Sequence, residues 1–157
     1  MTKNLIHITE EEIIRLHDDL IEASGGLRGI LNAGSVTYIV ENAQFRLPQN
    51  LVDISAFLLC RIAKGHQFVD GNKRTAYFAS RYFLMRNGAD FNGSDTNQAT
   101  KEVEAIAAEH NMPNACNLAS KLVERYFVEN QPIIPSYETF YRLVIKSIGV
   151  AQRLSEK

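Results

Sequence analysis

The chain has 157 residues, which fits one domain of ordinary size. Its 45% apolar and 22% charged residues match globular averages and exclude disordered, collagen-like and coiled-coil chains. A formal charge of −1 gives no overall pull toward nucleic acid, and no apolar run approaches the roughly 20 residues of a membrane helix.

The chain reads as helices almost throughout. Thr9, with Glu12 three residues on, forms a capping-box pattern that opens the first helix, and Ile13, Leu16, Leu20 and Ile21 then recur at helical spacing. Gly25 and Gly26 stop it, and GGLRGILNAG (25–34) follows as a glycine-rich loop with room for a short extended piece at 27–31. Ser35 is expected to cap a second helix that ends before Pro48. Asn50 is expected to cap a third, which Gly65 ends, and Asn72 begins a fourth that runs to about Asn87, with Gly88 as its stop. Asp95 or Thr96 opens a fifth and Asn114 caps a sixth. Ser136 caps the last, spanning 136–149, in which Tyr137, Phe140, Tyr141, Val144, Ile145 and Ile148 form an amphipathic stripe.

No sustained alternation of apolar and polar residues occurs, so the fold class is all-α, a bundle of six to seven helices in one domain. The third and fourth helices are apolar nearly all round, which places them at the centre of the bundle. The loop between them, GHQFVDG (65–71), is then held at both ends by the most rigid part of the protein. The start MTKNLIHITEEE has no apolar signal core, so a cytoplasmic protein is expected. Cys60 and Cys116, 56 apart and in no CxxC pair, are read as buried free thiols in a reducing compartment.

Charge is unevenly placed. Residues 1–60 carry net −4, residues 61–86 carry net +5 and residues 87–157 carry net −2. The cationic middle suits a small anion such as a nucleotide better than a long phosphate backbone, though a solvated helix surface would look the same.

The segment HQFVDGNKR (66–74) holds the chemistry. Asn72, Lys73 and Arg74 begin a helix, so their backbone N–H groups lack intrahelical partners and point out where the macrodipole is positive, an anion site in itself. Gly71 allows a tight turn and close approach of a ligand. Lys73 and Arg74 oppose the dipole, a mismatch that a bound polyphosphate would reverse. Asp70 is a hard oxygen ligand suited to Mg²⁺ shared with phosphate oxygens. His66 can serve as a general base toward a hydroxyl, since imidazole titrates near neutral pH, and Phe68 is expected to turn into the core. Taken singly, each residue has an ordinary role: a cap or core histidine, a loop aspartate, solvated cations. It is their joint arrangement that points to a site. GNKRT is not a Walker A loop, and one His with one Asp is too few for zinc.

These nine residues resemble the signature of the Fic/Doc superfamily, closer to its Doc (death-on-curing) branch than to the Fic adenylyltransferases. LHDDLIEASGGLRGI (16–30) and KRTAYFASRYFLMRNG (73–88) resemble the flanking helices, and the likeness covers residues 5 to about 128. It implies a Fic/Doc-type bundle with a short flap loop near 27–31, a catalytic domain over 1–130 and an added C-terminal helix within 131–157. It implies ATP and Mg²⁺ as cofactors. His66 would deprotonate a target hydroxyl, Asp70 would hold Mg²⁺, and Gly71, Asn72, Lys73 and Arg74 would bind the nucleotide.

Fic enzymes carry Gly where this chain has Lys73 and a second Arg where it has Tyr77. The lysine, shared by Doc-type proteins, disfavours the pose that leads to AMP transfer, so transfer of the γ-phosphate to a translation protein, elongation factor Tu in the family, is expected. AMP transfer and a non-catalytic binding module are the alternatives. The inhibitory [S/T]xxxE[G/N] pattern of many Fic proteins is matched only by Ser120–Glu124, which Arg125 follows, so a separate antitoxin protein is implied as partner.

Overall fold

The computed structural model describes residues 4–92 and 96–148. Helix α1 (Glu10–Ser24) starts as its sequence dictates: the Thr9 hydroxyl accepts from the Glu12 N–H at 3.1 Å, and the Glu12 carboxylate accepts from the Thr9 N–H at 3.0 Å. Gly25, at φ 86°, ends it. Helix α2 (Ala33–Phe45) starts earlier than Ser35 predicted. Asn32 is the cap, and its side chain accepts from the Ser35 N–H at 3.1 Å. Helix α3 (Leu51–Lys64) is capped by Asn50 and closed by Gly65. Helix α4 (Asn72–Arg86) follows the 65–71 loop, and α5 (Thr96–Ala108) opens at one of its two expected residues. The other, Asp95, lies outside the described residues, as does everything from 149 onward, including the end of the last predicted helix.

Helix α6 (Met112–Tyr126) repeats the correction made at α2. Asn111, not Asn114, is the cap; it accepts from the Asn114 N–H at 3.0 Å, and Pro113 falls in the first turn, where a missing N–H is harmless. Helix α7 (Tyr137–Phe140), capped by Ser136, widens into a π turn over Tyr141–Ile145, where the Lys146 N–H reaches the Tyr141 carbonyl. The expected stripe survives that widening: Tyr137, Phe140, Val144 and Ile145 are buried.

The fold is all-α among the described residues except for an isolated bridge between Ile30 and Phe68 and one short strand pair that periodicity did not announce. Strand β1 (Asp90–Phe91) runs antiparallel to β2 (Phe127–Val128), with Asp90 opposite Val128 and Phe91 opposite Phe127. Two residues a side are too few to alternate visibly.

Helices α3 and α4 form the centre, as their apolar circumference required. Small residues line their contact: Ser55 and Ala56 on one, Ala76, Ala79 and Ser80 on the other, all buried. The Ser80 hydroxyl donates across the pair to the Ser55 carbonyl at 3.1 Å, which holds the two helices closely together. Helices α5 and α6 pack on α3, and α1 packs on α4. The chain after β2 crosses the end of α4, with the Gln131 N–H on the Gly88 carbonyl, and then lays Tyr137 and Phe140 against Tyr82.

The two thiols are free, but Cys116 is only half-buried. Although 56 apart in sequence, their sulfurs lie 3.2 Å apart across α3 and α6, a proximity that sequence separation hid. No helix among the described residues is long and apolar enough to cross a membrane.

Candidate active site

The loop between α3 and α4 is fixed from inside. Phe68 is buried, as expected of it, and its backbone is clamped by Asn72: the side-chain amide donates to the Phe68 carbonyl at 2.9 Å and accepts from the Phe68 N–H at 3.2 Å. Gln67 is fully buried and donates to the Ile62 carbonyl at 2.7 Å, closing the last turn of α3. That packing explains Gly65 better than its role as a helix stop does, since a Cβ there would lie 1.9 Å from Gln67 Oε1.

The loop's outer edge pairs with the glycine-rich segment. Ile30 and Phe68 form an antiparallel bridge, the Leu31 N–H donates to the Gln67 carbonyl at 2.8 Å, and the Val69 N–H donates to the Gly29 carbonyl at 3.0 Å. The short extended piece expected at 27–31 is therefore present. It leaves Leu27, Ile30 and Leu31 exposed beside Val69.

A cavity of about 610 Å³ opens along this loop. His66, Asp70, Gly71, Asn72, Lys73 and Arg74 all line it, so the six residues singled out from the sequence come together. Its far wall is α5, through Ala99, Val103 and Ala107, and its floor includes Tyr77 and Phe78. Lys64 fastens that wall by donating to the carbonyls of Ala107 (3.4 Å) and Glu109, a cation placed at the end of α5.

At the cavity edge α4 begins with Gly71 in the left-handed region (φ 81°), a conformation that glycine adopts without strain. No side chain caps this helix. The N–H groups of Asn72, Lys73 and Arg74 therefore keep both their hydrogens and the positive end of the dipole for whatever enters.

The side chains divide their work less simply than their types suggest. Asn72 commits its amide to Phe68, leaving its backbone N–H for an anion. Arg74 donates from Nη1 to the Ser24 hydroxyl and the Gly25 carbonyl, both at 2.6 Å, so it also closes α1; its other donors stay available. Asp70 Oδ2 accepts from the Leu27 N–H at 3.1 Å and Oδ1 from the Gly71 N–H at 2.8 Å. Those two bonds, and then the Arg74 guanidinium, hold its carboxyl below the usual carboxylate range. A carboxylate oxygen that accepts one N–H retains a lone pair, so this donor set fits a hard divalent cation. Lys73 is exposed and forms no ion pair among the described residues. His66, at the other end of the loop, is exposed as well.

Sequence reasoning missed Gln67, Lys64 and, above all, His17. This α1 residue is completely buried behind the loop and touches both Phe68 and Asp70.

The loop and the uncapped helix that follows it lie in a part of the chain that is similar to known proteins. The family model described as the Fic/DOC family matches residues 7–84, which span α1 to most of α4. The chain belongs to the Fic/Doc family. Within it the likeness is to the Doc branch: the "Protein kinase doc" of Escherichia phage P1 is 42% identical over 86 residues, covering 52% of this chain and 68% of that protein.

Proposed function

We propose that this chain is a Doc-like toxin that transfers the γ-phosphate of ATP to a hydroxyl of a translation protein, elongation factor Tu being the first candidate, and so arrests translation in the cytoplasm. The observation that carries this reading is the uncapped start of α4, which opens into a cavity that His66 and Lys73 also line. The name of the phage relative, a protein kinase, agrees with it.

The helix-start amides of Asn72, Lys73 and Arg74 hold the phosphates, with Gly71 allowing them to approach the backbone. Asp70 would hold Mg²⁺, which would supply charge neutralisation on the phosphate oxygens. His66 takes the proton from the attacking hydroxyl as general base. The Lys73 ammonium stands in the cavity where a smaller residue would leave room for the pose that exposes the α-phosphate. The exposed edge at 29–31 aligns the target segment by strand addition. A separate antitoxin protein, through a segment that folds on binding, provides restraint.

Incubation of the protein and elongation factor Tu with γ-³²P-ATP tests this. Label should appear on the target, and His66→Ala should lower its rate by about 10²–10⁴-fold. Label arriving only from α-³²P-ATP would replace the kinase reading with AMP transfer. No label from either nucleotide with folded wild type would remove the catalytic reading.

A further inference from the structure

We propose that His17, on α1, is a positioning residue for the HQFVDGNKR loop, fixing the peptide that joins Asp70 to Gly71. Its side chain is completely buried, yet it is not merely filling space. Nε2 lies 2.7 Å from the Asp70 carbonyl oxygen, which can only accept, so Nε2 carries a hydrogen and donates it. Nδ1 lies 3.1 Å from Asp18 Oδ1. The ring then lies flat on Phe68, with centroids 3.8 Å apart and planes within 5° of parallel. One side chain thus grips the loop at two residues, one on each side of Val69.

The consequence reaches the cavity through a single peptide. The Asp70 carbonyl that His17 holds belongs to the same rigid plane as the Gly71 N–H, and that N–H donates to the Asp70 carboxylate at 2.8 Å. If this peptide rotates, the carboxylate loses its Gly71 bond, and Gly71, which starts α4 at positive φ, no longer aims the following amides. Without His17 the partly buried carbonyl would lose its donor, and rotation is its escape. An apolar ring could still stack on Phe68, but it could not hold the carbonyl. The pair is separated by 53 residues, so α1 acts as an outside brace on the loop.

The consequence for turnover rests on the phosphate-transfer reading above, whereas the brace itself does not. The test therefore has two arms, each run on wild type, His17→Phe (which keeps a ring on Phe68 and removes the donor) and His17→Gln (which keeps a donor and removes the ring). The first arm measures amide hydrogen exchange by mass spectrometry. In His17→Phe, peptides covering 69–72 should exchange at least about 10-fold faster while those from α3, α5 and α6 keep the wild-type rate. In His17→Gln the loop should stay within about 3-fold of wild type. The second arm measures transfer of label to the target. His17→Phe should lower kcat by about 10–100-fold with KM for ATP within about 3-fold, and His17→Gln should recover most of kcat.

Equal loosening of all helices in His17→Phe, or a His17→Gln loop as loose as that of His17→Phe, would overturn the brace and leave only a core histidine. If wild type transfers no label but the exchange pattern holds, the kinase reading falls and the brace stands. If His17→Phe does not fold, the same comparison is made with His17→Leu against His17→Gln, and failure of His17→Gln to protect the loop overturns the proposal.

Discussion

Thr75 is completely buried in the first turn of α4, and its hydroxyl has no hydrogen-bond partner among the described residues. A buried hydroxyl left unpaired costs on the order of 1–3 kcal/mol of desolvation, and valine has nearly the same shape without it. Thr75→Val should therefore stabilise the protein by about 1 kcal/mol, read as a Tm about 2–4 °C higher in a thermal melt. An unchanged or lower Tm would show that the hydroxyl is satisfied after all. The neighbouring loop shows what single residues disclose in a sequence. His66, Asp70, Lys73 and Arg74 were legible because each carries its own chemistry within nine positions. His17, Gln67 and Lys64 were not, because what matters is the partner each one meets. The Asp70 carbonyl is 53 residues from His17, and the Ala107 carbonyl is 43 from Lys64. A sequence states what a side chain can donate and is silent on which distant carbonyl will be there to accept.

At the scale of elements, the helices were legible through their caps and apolar spacing, and both errors at helix starts share one cause. At α2 and α6 two capping residues stand three apart: Asn32 with Ser35, and Asn111 with Asn114. In each pair the first residue is the cap, and the N–H of the second is what it binds, so either reading satisfies the pattern of residue types. Nothing local decides between them. The two residues of each pair should thus differ in energy. Asn111→Ala should lower stability by about 1 kcal/mol, while Asn114→Ala, which keeps the N–H that Asn111 receives, should change it by less than about 0.5 kcal/mol. Urea unfolding of the two variants checks this, and equal losses would place the helix start where the residue types alone first put it.

Across the whole molecule, the cationic stretch read from the sequence turns out to be dispersed. Arg61 lies over Phe57, Lys64 closes α5, Arg74 closes α1, and Arg81 pairs with Asp90 at 2.8 Å. Arg86 donates to the Tyr82 hydroxyl, leaving Lys73 as the cation standing exposed in the cavity. The net +5 of residues 61–86 is thus mostly scaffold, because linear charge density does not distinguish a cation facing a helix end from one facing solvent. The same tying-down draws phenols into the centre. Tyr82 donates to the Glu12 carboxylate, and Tyr137 donates to Asp19 at 2.5 Å, joining α7 to α1.

Burial first, and then these bonds, raise the titration of both phenols well above the ordinary range, and burial with the Cys116 contact pushes the Cys60 thiol up to about 12. The folded state therefore holds these protons more tightly than the unfolded chain, in which thiol and phenol titrate from ordinary values of 9.0 and 10.0. Where the native state binds more protons, stability falls as pH rises, so the contribution is complete below pH 9 and is lost progressively above it. The urea midpoint should be lower at pH 10.5 than at pH 8. The double variant Tyr82→Phe/Tyr137→Phe should start lower at pH 8, having lost three hydrogen bonds, yet fall less between the two pH values, since every other titratable group is common to both proteins. An equal fall in parent and double variant would mean that these buried phenols do not couple the α1–α4–α7 packing to alkaline pH.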